Sequence, residues 1–125
     1  MKRILLAFSL LIATLGFTSV QHASAQVTAA SFNTQVNLMD SYIGAGNITA
    51  AQTTFDTLNS MMKSVLAVTK NSINTAATSA DKATYTALIR NQVSIYHAIW
   101  ALKSDLATNR TAIHNKLEDF DATIY

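Results

Sequence analysis

The sequence contains no cysteine and no proline, and only three of its 125 residues are glycine. Without cysteine the chain forms no disulfide, and it lacks the Cys-x-x-Cys-His attachment site of a c-type haem. Its stability must therefore come from packing rather than from covalent cross-links. Because helix breakers are so scarce and alanine is frequent, the composition predicts an all-α protein with long helices.

Groups that could carry out chemistry are also scarce. The chain has a single glutamate, Glu118, whereas a ferritin-type di-iron bundle needs several glutamate ligands. His114 and Glu118 are four residues apart and would share one helix face, which makes them a weak candidate metal pair, since a stable site takes three or four ligands. The sequence has neither a glycine-rich phosphate loop nor a Gly-x-Ser-x-Gly elbow. We therefore expect no catalytic residue, no cofactor and no enzymatic activity.

The first 25 residues have the pattern of a signal peptide. Lys2 and Arg3 precede an apolar stretch over 4–20, and Ala23-Ser24-Ala25 is the small-x-small pattern that a signal peptidase accepts. The alternative, a membrane anchor, is disfavoured because about 15 uninterrupted apolar residues are too few to span a bilayer. The pattern predicts cleavage after residue 25 and an exported product, periplasmic or extracellular, consisting of one helical domain over 26–125.

Removal of the signal peptide changes the charge of the chain. The pI of 9.0 and the net charge of +2 belong to the whole sequence. Without Lys2 and Arg3, seven basic and seven acidic residues remain, so that the domain is neutral. No basic cluster is left to neutralise phosphates, and we expect neither a nucleic-acid partner nor a membrane span after cleavage.

Two helices are predicted in the first half of the domain. An apolar stripe with a spacing of three and four residues predicts the first helix over about 28–43, with Gly44 as its left-handed C-cap. A second helix is expected to begin at 47–49, where Thr49 and Gln52 fit a capping box, and to end near 76–77. Thr78 or Ser79 then has the side chain of an N-cap for the next helix.

One apolar stripe dominates the second half of the chain. It keeps an alternating spacing of three and four residues over about 80–124, and only Gln92 and Arg110 on it are polar. The segment 107–111 contains poor helix formers, but the heptad phase is preserved across it. The phase favours one long continuous C-terminal helix, while a turn there would instead divide it into two helices.

These elements allow two architectures. The first two helices could lie antiparallel to the long one as an extended helical hairpin, or the first helix could fold back to give a compact three- or four-helix bundle. The hairpin would leave an apolar face uncovered. The partners expected for such a face are a second copy of the chain, in a homo-oligomer, or another protein of the cell envelope.

Four residues are candidates for interaction or for setting helix register. Arg110 on an apolar stripe could pair with Asp40 or Asp56, and Gln92 is the other polar residue on the stripe. Tyr96 and Trp100 lie beside it, as packing aromatics or as part of a ligand pocket with the methionines Met39, Met61 and Met62.

The sequence thus predicts a structural or protein-interaction module. The alternative function is a small-molecule-binding helical bundle with an apolar interior pocket. The remaining surface is rich in Ser, Thr and Asn, which is typical of a neutral solvated surface or of a face that contacts glycan or protein.

Overall fold

A computed structural model describes residues 27–125, so the predicted signal peptide over 1–25 lies outside the described residues. Within 27–125 the chain forms helices and no strands. The prediction of an all-α fold is confirmed. The helices are α1 (Ala29–Gly44), α2 (Ile48–Thr75), α3 (Ser79–Ala101) and α4 (Arg110–Asp121).

The helices form a closed four-helix bundle. Each packs on its neighbours in sequence, and α4 packs on α1. Phe32 near the start of α1 contacts Phe120 near the end of α4, and Asp40 near the end of α1 contacts Arg110 at the start of α4. The helices α1 and α4 therefore run antiparallel. The compact bundle is therefore the architecture found, and the extended hairpin is not.

The apolar stripes predicted from the sequence meet in a single core. Large side chains from each of the helices are fully buried there, including Phe32, Phe55, Leu58, Ile99 and Phe120. Removing such side chains from water is the dominant favourable contribution to folding, at about 1.5–3 kcal/mol for each one. Among the helices described between residues 27 and 125, none is both long and apolar enough to cross a bilayer.

The turn between α1 and α2 differs in detail from the prediction. Gly44 is the last residue of α1, and it is Gly46 that has the positive φ, 79°. Such a φ is accessible to glycine because it has no Cβ. The predicted capping box at Thr49 and Gln52 is also wrong, since the Asn47 side chain accepts the Ala50 N–H at 3.1 Å and caps α2. For α3, Thr78 is the N-cap, as predicted.

The predicted continuous helix over about 80–124 is broken. α3 ends at Ala101 and α4 begins at Arg110, with a turn segment over 102–109 between them. Two polar side chains stabilise the turn: Asp105 accepts the Thr108 N–H at 3.0 Å, and Asn109 Nδ2 donates to the Leu102 carbonyl at 3.0 Å. Hydrogen bonds of this kind satisfy backbone groups that a helix would otherwise pair.

The preserved heptad phase has a different cause from the one expected. Leu106 lies inside the turn segment and is nevertheless only 3% exposed, because it packs into the core. Leu102, at the C-cap of α3, is partly buried against the same core. A turn that must cover the bundle end also needs apolar residues directed inward, and so it can continue the stripe without being helical.

The segment that follows α4 closes the other end of the bundle. Gln92 on α3 is fully buried, and its Nε2 donates to the carbonyl and hydroxyl oxygens of Thr123 at 3.3 Å each. The Tyr125 hydroxyl lies 2.7 Å from that of Ser72 on α2, and its ring packs 5.7 Å from that of Tyr85. Gln92 therefore joins α3 to the segment that follows α4, while Tyr125 contacts both α2 and α3.

Candidate functional site

Two surface features of the bundle could engage a partner or ligand, and the first is centred on Trp100. This residue lies at the end of α3 and is the only tryptophan in the sequence. Its ring centroid is 6.3 Å from that of Tyr96, one helical turn earlier, and 6.5 Å from that of Phe55 on α2. Trp100 is 44% exposed, although the rings of Tyr96 and Phe55 both pack against its indole. Contacts at these distances are typical of aromatic pairs in proteins.

Polar groups complete the surroundings of the indole. Lys103 Nζ lies 4.6 Å from the centre of the Trp100 ring, within the range of a cation–π contact. The Tyr96 hydroxyl donates to Asn59 Oδ1 at 2.7 Å, which ties α3 to α2 beside the tryptophan. We refer to Phe55, Tyr96, Trp100 and Lys103 as the Trp100 cluster. It fixes a large aromatic ring at the surface, where the α2–α3 contact reaches solvent.

The second feature lies on the opposite side, where α4 packs on α1. Arg110 donates from Nε to Asp40 Oδ1 at 2.7 Å and from Nη2 to Asp40 Oδ2 at 3.0 Å. This is a bidentate pair, the strongest geometry available to an arginine and a carboxylate. Of the two partners predicted for Arg110, the structure thus selects Asp40. The pair joins the start of α4 to the end of α1.

The charge of Arg110 changes the acidity of its partner. Its hydrogen bonds to the carboxylate hold the pKa of Asp40 below the usual value of 3.8, and they outweigh the opposing effect of partial burial. The side chains of Arg110 and Asp40 are 42% and 32% exposed. Because water screens charges at such exposure, the contribution of the pair to stability is at most about 1 kcal/mol.

Further polar side chains continue from this pair along both helices. Asn37 Nδ2 donates to Asn33 Oδ1 at 2.9 Å within α1, and Asn33 Nδ2 donates across to Glu118 Oε1 at 3.1 Å. His114 lies between Arg110 and Glu118 on α4. We call this set the α1–α4 seam, comprising Asn33, Asn37, Asp40, Arg110, His114 and Glu118.

A shallow, open depression of about 320 Å³ lies at one end of the seam. Its lining consists of Asp40 and the α4 residues Arg110, Thr111 and His114. A carboxylate, a guanidinium, a hydroxyl and an imidazole therefore surround one space. Such a lining can both donate and accept hydrogen bonds.

His114 and Glu118 come together as predicted, but they remain a pair. Nε2 of His114 is 3.7 Å from Glu118 Oε2, longer than a hydrogen bond. Residues 27–125 contain no group of three or more His, Cys, Asp or Glu side chains arranged to hold a metal ion. Because a stable site needs three or four ligands, the pair by itself does not form one.

The predicted interaction residues thus divide among three places. Tyr96 and Trp100 share the Trp100 cluster, Arg110 belongs to the seam, and Gln92 is buried in the core. Sequence reasoning missed the neighbours that complete each surface, which are Asn33, Asn37, Asn59, Lys103 and Thr111. Helical spacing could have indicated two of these contacts, since Lys103 lies three residues after Trp100 and Asn37 lies four residues after Asn33.

Comparison of the chain with protein-family models, with curated proteins and with solved structures found no match. A four-helix bundle hosts many unrelated functions, so the fold by itself does not identify one. The surfaces described above are therefore the basis on which a function can be inferred.

Proposed function

We propose that this chain is a small exported interaction module of the cell envelope or secreted space, and that the exposed indole of Trp100, with Tyr96 and Lys103 beside it, is its contact surface. A second copy of the chain is the partner proposed first. Export is supported by the signal-peptide pattern over 1–25, and the interaction role is supported by the surface chemistry of the bundle.

The observation that carries this proposal is the half-exposed indole of Trp100, which packs against Phe55 and Tyr96. Tryptophan is among the residues that contribute most to protein interfaces, since it buries a large area and has few rotatable bonds. Phe55, Tyr96 and Lys103 already hold this ring, so binding loses little further side-chain freedom. Pre-organised aromatic surface of this kind is typical of a binding anchor.

Additional apolar surface lies on the same helix as Phe55. Ile48 is 41% exposed at the start of α2, seven residues before Phe55. Residues seven apart lie on the same side of a helix, two turns from each other. A partner that covers Trp100 could therefore extend its contact toward Ile48.

The alternative function, a bundle with an apolar interior pocket, receives less support. Of the residues proposed to line it, Met39 and Met62 are each 1% exposed and packed in the core, whereas Trp100 is at the surface. The burial of both methionines in the core gives little support to a pocket that they would line together with Trp100. We retain the interaction module as the proposed function.

The test uses protein expressed from Met1 in an exporting bacterial host. Intact mass should show loss of residues 1–25, and light scattering behind size exclusion should give a dimer or larger species whose fraction rises with concentration. Because Trp100 is the only tryptophan, its emission should shift to shorter wavelength as association removes the ring from water.

Trp100→Ala should move the mass toward that of a monomer. Leu38→Ala is the matched control, since Leu38 is 38% exposed on α1 and lies outside the proposed surface. A wild-type monomer at every concentration would overturn self-association. Equal masses for Trp100→Ala and wild type would remove Trp100 from the interface.

A further inference from the structure

The depression at the end of the α1–α4 seam is lined by charges of both signs. Asp40 contributes a carboxylate, and Arg110 contributes a guanidinium that is bonded to it through Nε and Nη2. The carboxyl group of Asp40 is ionised at neutral pH, as carboxyl groups ordinarily are, and the hydrogen bonds from Arg110 lower the pKa of Asp40 further. The two charges compensate each other, so that the ion pair itself carries no net charge.

This balance disfavours charged ligands. An anion that approached Arg110 would also meet the carboxylate of Asp40, and a cation that approached Asp40 would meet the guanidinium. A neutral ligand is not repelled by either group. A neutral ligand can still form hydrogen bonds with both groups. Nη1 of Arg110 takes no part in the ion pair and can donate, and each carboxylate oxygen of Asp40 has a further lone pair and can accept.

The remaining lining groups select for a ligand that both donates and accepts. Thr111 has a hydroxyl, which does both, and it is an exposed residue at the rim. The His114 imidazole, whose side chain is 31% exposed, completes the lining. At about 320 Å³ the depression is at the small end of the range for ligand sites.

From these observations we infer that the depression lined by Asp40, Arg110, Thr111 and His114 is a binding site for a neutral, hydroxyl-rich ligand, namely one sugar unit of a saccharide. Alternating hydroxyl donors and acceptors match the mixed lining, and the absence of charge avoids repulsion from either member of the pair. The site is distinct from the Trp100 cluster, which lies on the opposite side of the bundle.

The lining is positioned before any ligand arrives. The bidentate pair fixes Arg110 against α1, and the hydrogen bond from Asn33 to Glu118 joins the two helices two turns away. Side chains that are already held lose less freedom on binding. The seam therefore acts as a support for the depression.

The experiment titrates the ¹⁵N-labelled, exported protein with glucose and, separately, with N-acetylglucosamine, followed by amide chemical shifts. The expected result is a saturable shift confined to residues around 40 and 110–114. Thr111→Val, which removes one hydroxyl from an exposed position, should weaken binding about fivefold, the effect of one hydrogen bond. Thr57→Val, an exposed threonine on α2, is the matched control and should bind as wild type does.

Acetate and inorganic phosphate are titrated in parallel to separate hydroxyl recognition from simple charge attraction. Absence of saturable shifts with both sugars would overturn the inference. Binding of an anion without binding of a sugar would also overturn it, as would equal sugar affinity for Thr111→Val and wild type. Because these readouts concern α1 and α4, they are independent of whether the chain self-associates through Trp100.

Discussion

Arg110 reaches Asp40 by passing over Gly44. A Cβ atom added to Gly44 would lie 3.1 Å from Nη2 and 3.3 Å from Nη1 of Arg110, closer than most real Cβ contacts. The last residue of α1 therefore has no side chain at the point where the guanidinium crosses it. This relationship couples the α1 terminus to the start of α4.

The first prediction tests this coupling with a double-mutant cycle. Gly44→Ala should stabilise α1 by up to about 1 kcal/mol, because alanine has a higher helix propensity than glycine. It should also displace the guanidinium and weaken a pair worth at most about 1 kcal/mol. In the wild-type background we expect Gly44→Ala to change the free energy of unfolding little, because the two effects cancel. In an Arg110→Ala background there is no ion pair to weaken, so Gly44→Ala should raise the free energy of unfolding. Urea unfolding measures the free energy of unfolding in both backgrounds. If Gly44→Ala changed it equally in the two, the proposed coupling between Gly44 and Arg110 would be contradicted.

A second prediction concerns acid stability. A carboxylate whose pKa is lowered in the folded state stabilises the fold above its unfolded pKa, here near 3.8, and this stabilisation is lost as pH falls through the lower folded value. Asp40→Asn should therefore cost up to about 1 kcal/mol at pH 7. The difference between wild type and variant should disappear below the folded pKa. Urea midpoints from pH 7 to 2 provide the measurement.

The control for that series is Asp56→Asn. Asp56 is exposed on α2 and was the other carboxylate considered as a partner for Arg110. Its substitution should change stability by less than about 0.5 kcal/mol, as is usual for surface positions. If Asp40→Asn and Asp56→Asn gave the same pH profile, the ion pair would have no measurable role in solution.

Much of the core could be predicted because burial leaves a periodic signal. The stripes with three- and four-residue spacing located Phe32, Val36, Met39 and Ile43, and each of them is buried. The polar surfaces have no such period, since a solvated position tolerates many side chains. This is why Arg110 was identified from its place on an apolar stripe, while Asn33 and Asn37 were not identified.

The break between α3 and α4 was missed for a related reason. Leu106 keeps the apolar phase while lying in a turn, so periodicity alone could not separate a helix from a core-facing turn. The signals that identify the turn are Asp105 and Asn109, whose side chains bond to the backbone. Such residue types favour caps and turns over helix interiors.

A third prediction follows from the burial of Leu106. Leu106→Ala should destabilise the bundle by about 2–4 kcal/mol, as for a core residue, although the residue belongs to no helix. Thermal or urea unfolding checks this. Leu38→Ala, at an exposed position on α1, should cost less than about 1 kcal/mol. A small effect at Leu106 would mean that the turn segment does not seal the core.

The fourth prediction concerns the buried amide of Gln92. Its Oε1 is buried without a hydrogen-bond partner among the described residues, although Nε2 is bonded to Thr123. An unpaired buried acceptor costs about 1–3 kcal/mol. Gln92→Leu should therefore change stability by less than about 1 kcal/mol, since loss of the Thr123 contact is offset by removal of the unpaired oxygen.

Gln92→Ala should be clearly worse, with a loss of about 2–4 kcal/mol, because it removes the same hydrogen bonds and leaves a cavity. Urea unfolding of the two variants side by side separates the packing contribution of the side chain from its polar contribution. Equal losses for the leucine and alanine variants would show that the hydrogen bonds to Thr123, rather than packing, hold the chain end.

The contact of α4 with α1 also determines when the fold can be completed. Asn33 and Glu118 are 85 positions apart, so the bundle closes only when all the residues between them are present. Until then, the side of α1 that carries Phe32 has no partner from α4. Such distant contacts form late because the entropy of closing a long loop is lost before the contacts between its ends stabilise the fold. A chain synthesised from its N-terminus would thus leave this bundle incompletely folded until α4 emerged.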